Sequence, residues 1–205
     1  MFTNLSLYSV DDLIISIGDV KVILLLESPF SDEVCHKHPL AGSAGRNVSR
    51  FFTERITGFT EWDNNTAFGC QVCCRSFTRI AVMNCSTNPL NKSVYSTEDY
   101  NKNSKLIDGL DLIRRNPKSK SRRGDNQNIE NYIIDLLQKR LEWVSDQLII
   151  PCGDVARGSL NKCKIDKLNI IPDRVPHPSY NRWSVDSNFG NIHNFINEVS
   201  HRLSQ

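Results

Sequence analysis

The sequence predicts an α/β protein, a three-layer α/β/α sandwich around a short, mainly parallel four-stranded sheet. Three observations lead there. Residues 20–26 form an apolar run, interrupted only by Lys21, between Asp19 and Glu27, as a strand covered on both faces requires. Further short apolar runs alternate with segments of helical periodicity, the arrangement that places helices on both sides of a parallel sheet. Finally, Glu27, Asn84 and His177 fall at the carboxyl ends of expected strands, where open α/β sheets bind their ligands.

The elements follow in order. After the first strand comes a polar, turn-rich loop with Pro39, Gly42 and Gly45, and then a helix over 47–56, where apolar residues recur at helical spacing. Residues 79–84, with four consecutive apolar residues between Arg79 and Asn84, read as a second strand. Over about 91–128 the regularity lapses: Arg114, Arg115, Lys118, Lys120, Arg122 and Arg123 crowd among Asn116, Pro117, Ser119, Ser121 and Gly124. Such a composition buries little apolar surface and predicts a basic, flexible insertion. An amphipathic helix is expected over 129–144, a short strand over 147–150 running into a turn at Gly153, and a fourth strand over 168–171 that leads to His177. A helix over 188–203 closes the chain, with Phe189, Ile192, Phe195, Ile196 and Val199 on its inner side. Residues 1–205 read as one domain, with the insertion inside it.

Composition narrows the functional classes. The 205 residues are 39% hydrophobic and 23% charged, ordinary for a globular protein. No run approaches the roughly 18 apolar residues of a membrane span, and no signal peptide is recognisable at the N-terminus. A cytoplasmic monomer without membrane contact is expected. The net charge of +2 is small, yet the basic residues are clustered, and a cluster on the pocket face would clamp phosphates. The seven cysteines are expected to be reduced thiols. Cys70 and Cys73 have the spacing of half a zinc or iron-sulfur site, with Cys74 adjacent. However, Cys85 stands alone and Cys152 and Cys163 are distant, so no metal and no cofactor is expected.

The most informative residues are Pro176, His177, Pro178 and Ser179. Each proline ring fixes its own φ and restricts the residue before it, so this imidazole is held at a set point, as an electrophile should be. Glu27, Ser28 and Pro29 at the end of the first strand read as the opposite wall of one pocket. The plainer alternatives are a structural histidine, a strand-capping Glu27 and a turn-forming Asn84. His36 and His38 divide evenly between surface and cleft, whereas Trp62 and Trp143 suit core or edge packing.

Five strings, VILLLESPF, HPLAGSAGRNVSRFF, IAVMN, LIIPCGDVARGSL and VPHPSYNRW, resemble the successive motifs of the uracil-DNA glycosylase superfamily. They stand in the same order and at similar spacing over most of the chain. The closest branch is the one whose first motif reads GEAPG and continues to PFVGRAGQLL. The resemblance implies a DNA glycosylase that flips a pyrimidine out of the helix and hydrolyses its N-glycosidic bond without a cofactor, leaving an abasic site. Glu27 matches the acidic residue of the first motif, and Ser28 stands where other members have a water-activating Asp. Asn84 matches the asparagine that reads the Watson-Crick edge, and His177 the histidine that donates to pyrimidine O2. Pro29, Phe30, Glu33, Leu40 and Phe68 are the substrate-pocket candidates. Gly42, Ser43, Gly45 and Arg46, in the loop before a helix, together with Ser179, Asn181, Arg182 and the basic insertion, are the DNA-binding candidates. Asn181, Arg182 or Trp183 would fill the gap left by the flipped nucleotide.

The chemistry calls for these residue types. Cleavage develops negative charge on the departing base and positive charge on the sugar; an imidazole N–H strengthens its bond to the first, and a carboxylate favours the second and positions water. The chain also departs from the family. Leu40 replaces the phenylalanine on which relatives stack uracil, removing about 1–3 kcal/mol of stacking, for which Phe30 or Phe68 is the candidate substitute. No cysteine precedes Cys35, so the branch's iron-sulfur cluster is not expected. The insertion lacks the histidine with which another branch traps abasic DNA. A smaller wall at Leu40 leaves room for a bulky pyrimidine, and the superfamily includes antiviral enzymes that excise hypermodified cytosine such as glucosylated hydroxymethylcytosine. Uracil excision in base-excision repair, a silent DNA-binding module on the same scaffold, and a zinc-dependent nucleotide enzyme using Cys70, Cys73 and Cys85 are the competing readings.

Overall fold

The computed structural model describes residues 3–117, 122–185 and 190–205. In chain order its elements are β1 Val22–Leu26, α1 Ser31–His36, α2 Ser43–Arg55, α3 Phe68–Cys74, β2 Ile80–Asn84, α4 Thr97–Arg115, α5 Asp125–Arg140, β3 Leu148–Pro151, α6 Asp154–Leu160, β4 Asn169–Ile170 and α7 Ile192–Ser204, with short 3₁₀ segments between them. The four strands form one all-parallel sheet in the order β2-β1-β3-β4. Helices cover both faces, giving the expected three-layer α/β/α sandwich.

Strand burial explains the unbroken apolar runs. Every residue of β1, β2 and β3 is buried, and successive side chains point to opposite faces. Val22, Leu24, Leu26, Ile80 and Val82 meet Phe51 and Phe52 of α2, Phe68 and Val72 of α3, and Phe195 and Val199 of α7. Ile23, Leu25, Ala81, Met83 and Ile149 face the other way, onto Leu137 of α5 and Ala156 and Leu160 of α6. Each such side chain contributes about 1.5–3 kcal/mol when fully buried. Neither face can be opened cheaply. The register pairs Leu26 with Asn84, which brings the ends of β1 and β2 to one edge.

The region 91–128 differs most from expectation: it is mostly helical rather than a flexible basic loop. Ser96 caps α4 by accepting the Asp99 N–H, and Ile107, Leu110 and Ile113 recur at helical spacing along it. They pack with Ile129 and Ile133 of α5, Leu5, Leu90 and Val155 in a third apolar cluster. The arginines drew attention away from this stripe. Lys118, Lys120 and the serines beside them lie outside the described residues.

Other boundaries moved because caps, not apolar periodicity, set helix ends. The helix expected over 47–56 starts at Ser43, so Gly42 is its N-cap and Gly45 lies within its first turn. The helix expected over 129–144 runs from Asp125 to Arg140 behind Gly124, whose φ is 58°. The final helix starts at Ile192, where Asn191 accepts the Asn194 N–H. Ile192, Phe195 and Val199 face the core as expected, with Ile196 packed against it, while Phe189 is outside the described residues. Trp62 is 9% exposed within the core and Trp143 packs at its edge.

Gly45 is required by close approach: a Cβ there would run into the Leu40 carbonyl. Gly45→Ala should therefore cost about 1–3 kcal/mol, the usual price of overpacking, read as a lower urea midpoint at unchanged slope.

Candidate active site

Three parallel strand ends meet at one rim. Glu27 follows β1, Asn84 is the last residue of β2, and His177 lies in the loop after β4. This loop joins the sheet where Val175 bridges in parallel to Cys152, just beyond β3. Two cavities open there. The inner one, about 450 Å³, is lined by Leu26 to Phe30, Glu33, Leu40, Gly42 to Ala44, Asn84, Ser179 and Tyr180. The outer one, about 1110 Å³, is lined by six arginines and by Asn116, Asn126 and Asp154 among others. Glu27, Arg114, His177 and Arg182 border both, so the two cavities share a wall.

His177 is fastened on both sides. Trp183 Nε1 donates to the Pro176 carbonyl at 2.7 Å, and Asn47 Nδ2 donates to the Pro178 carbonyl at 3.0 Å. Trp183 itself is fully buried and meets Phe51 edge-on at 5.4 Å, which ties the loop to the core. The Ser179 N–H points to His177 Nδ1 at 3.3 Å; that nitrogen is the acceptor, so the ring proton sits on Nε2. Burial, aided by the Arg182 guanidinium, pushes the imidazole from its ordinary 6.5 down to about 4. It is a neutral Nε2–H donor over the physiological range.

Glu27 has the opposite shift. Burial raises its carboxyl from 4.5 to about 7, while Arg114 pulls it down and Asp111 adds to the rise. Because this folded-state value lies above the unfolded one, the native state holds the extra proton between pH 4.5 and about 7. Stability falls as pH rises through that window. For His177 the folded value lies below the unfolded one, so its contribution grows from about pH 4 to 6.5.

Asn84 is 1% exposed, and neither its Oδ1 nor its Nδ2 has a hydrogen-bond partner among the described residues. A buried amide left unpaired costs about 1–3 kcal/mol, yet this one lines the inner cavity. Its position is fixed from behind. Arg140 Nη2 donates to the Asn84 and Cys85 carbonyls at 2.8 Å each, and its Nη1 pairs with Asp12 at 2.6 Å. Arg140 and Asp12 escaped the sequence reading because nothing in one dimension links residues 128 positions apart.

The loop between β1 and α2 is held by Glu33, which accepts the Phe30 and Leu40 N–H groups at 2.7 and 2.6 Å. Burial raises its carboxyl to about 7 while these two amides oppose the rise. The two N–H donors favour the carboxylate. Glu33 therefore shapes the pocket rim, holding Leu40 buried at φ 54°. Ser28 Oγ similarly accepts the Leu90 N–H at 3.1 Å.

The structure separates the remaining candidates. Phe30 is at the inner cavity's lip and 52% exposed. Phe68 is fully buried against Phe52 and Trp62; it lines neither cavity and cannot stack a base. Trp183, equally buried, cannot fill a gap in DNA. Asn181 accepts from Ser184 Oγ and lines neither cavity. Tyr180, which sequence reasoning missed, is 91% exposed at the inner cavity's edge with φ 58°. An aromatic three residues past a Pro-flanked histidine was the available signal. Ser179, Gly42 and Ser43 line the inner cavity; Gly45 and the exposed Arg46 line neither. Arg114, Arg115, Arg122, Arg123 and Arg182 come together in the outer cavity.

The cysteine readings end in separation. All seven thiols are free. Cys70 and Cys73 lie on α3, whose packing is with one face of the sheet, whereas Cys85 is buried against the opposite face. The three-cysteine zinc site is therefore not formed. His36 and His38 line neither cavity: His36 Nδ1 pairs with the Asp32 carbonyl and His38 Nε2 approaches Cys70 at 3.7 Å. Among the described residues no group of three His, Cys, Asp or Glu is arranged for a metal, and no helix is long and apolar enough to cross a membrane. Compared with family models and with curated proteins, the sequence matches none.

Two outcomes follow. Replacing Asn84 by Leu should raise unfolding stability by about 1 kcal/mol, because an unpaired polar group is exchanged for an apolar one of similar size. Glu27→Gln should be stabilised relative to wild type by an amount that grows from pH 4.5 to 7 and then levels, measured by urea unfolding at several pH values.

Proposed function

We propose that this chain is a monofunctional DNA glycosylase acting on a modified or damaged pyrimidine, by hydrolysis and without a cofactor. The observation that carries the reading is Asn84: a buried amide, donor and acceptor both unpaired among the described residues, lines the cavity whose wall holds Glu27 and His177. A pyrimidine edge presents a complementary acceptor and donor, so binding would recover the desolvation cost the free protein bears.

The chemistry follows from the neighbours. With the nucleotide extruded, His177 Nε2–H donates to O2 and strengthens that bond as the C1′–N1 bond breaks and its electron pair moves into the base. The Glu27 carboxylate favours the cationic sugar and orients a water; the water oxygen bonds to C1′ and its proton passes by way of Glu27 to solvent or the departing base. Phe30 at the lip provides a stacking ring, and Tyr180 is placed to occupy the space vacated in the DNA. Leu40 in place of an aromatic wall and the roughly 450 Å³ inner cavity, room for about fifteen waters at ~30 Å³ each, favour a base larger than uracil, such as glucosylated hydroxymethylcytosine in an antiviral role.

The test uses two DNAs, one containing uracil and one containing glucosylated hydroxymethylcytosine, each followed by alkali to reveal abasic sites. Breaks in the second are expected. Breaks only in the first assign the protein to uracil repair, and none in either leaves the binding-module alternative. His177→Ala should lower the excision rate by about 10²–10³-fold, the scale of one lost oxyanion donor, with little change in DNA affinity. The rate should climb through a single step near pH 7 as Glu27 ionises, with no further step between pH 5 and 8, and Glu27→Gln should abolish that step.

A further inference from the structure

The outer cavity is built for anions, and its geometry says which. Six arginines line it: Arg114, Arg115, Arg122, Arg123, Arg174 and Arg182. Two carboxylates behind it are each shared by two cations. Asp111, 3% exposed, pairs with Arg114 at 3.0 Å and also with Arg115. Glu130, 7% exposed, takes Arg122 at 2.9 Å and Lys162 at 2.7 Å. Among the described residues, each of these buried carboxylates is set against two cations. Arg174 pairs with Asp154 at 2.9 Å. Guanidinium forks match phosphate oxygens in pairs, so six arginines around one cavity suit a ligand that carries phosphates.

We propose that this cavity is the track for backbone phosphates of the strand adjoining the flipped nucleotide, an inference that rests on the glycosylase reading for its placement. In that reading His177 faces O2. Carbon 5, where bulky decorations sit, lies across the ring from C2 and so points away from His177. The outer cavity borders His177 and Glu27, hence the sugar and O2 end, where the chain continues. No Phe, Tyr or Trp lines it among the described residues, so it holds backbone and not bases, and its binding is independent of sequence. Arg174, 69% exposed and 51 residues beyond Arg123, thereby joins the DNA-binding residues.

The experiment measures binding of the full chain to a fluorescent single-stranded oligonucleotide that contains no target base, over a range of NaCl. Arg115→Gln, Arg123→Gln and Arg174→Gln are compared with wild type and with Arg55→Gln on the exposed end of α2. All are surface changes, and unaltered melting curves would verify the fold. Each cavity variant should lower the slope of log affinity against log salt by about 0.7, the loss of one phosphate contact on a single strand, while Arg55→Gln leaves it unchanged. Equal slopes for all four variants would overturn the proposal. So would variants that lose binding of tripolyphosphate but keep that of the oligonucleotide, which would make the cavity a small-anion site. Because no base is excised in this assay, its outcome is independent of whether the catalytic reading survives.

Discussion

A neutral, immobile imidazole in a buried wall is the constraint around which the rest of the site is organised. His177 owes its place to two prolines, but the prolines alone restrict only the chain's own torsions. Their carbonyls are anchored by Trp183 from the core and Asn47 from α2, so helix packing against the sheet transmits directly to the ring. Burial then removes the ring's charge, and the Ser179 amide selects its tautomer. A donor prepared this way is oriented before any acceptor arrives, so it has little reorganisation left to do.

The site is costly to the free protein in several ways. Glu27 is buried enough to resist ionisation, Asn84 leaves both amide atoms unpaired, and Tyr180 and Asn181 both hold positive φ angles. Departures of this kind concentrate where a ligand completes what folding leaves open. Elsewhere the same needs are met internally: Glu33 satisfies two loop amides, and Arg140 ties the end of β2 to Asp12. Stability is drawn from two dense apolar layers and given up at one rim.

Particular residues show how far one dimension reaches. The strand expected over 20–26 was legible because burial on both faces leaves no polar position in its core, Val22–Leu26, and His177 because proline restricts its neighbours whatever the fold. The helices of 91–128 were not, since the apolar stripe of α4 is diluted by charge and shows its purpose only against α5. Phe68 and Trp183 looked available for a base or a DNA gap, and both proved to be core. Aromatic side chains serve either purpose, and exposure, which decides between them, belongs to the assembled chain. Tyr180, passed over in sequence, stands 91% exposed.

By itself, then, the sequence determined the α/β class, the strand ends and the Glu27, Asn84 and His177 set, because periodicity, turn chemistry and backbone restriction act between near neighbours. Only the tertiary structure decided that the arginines of α4 and of the segment before α5 meet Arg174 across a cavity, that Cys85 and the α3 cysteines lie against opposite faces of the sheet, and that the Asn84 amide ends without a partner among the described residues. Those outcomes depend on burial and on pairings between distant segments, which come into being only when the layers pack.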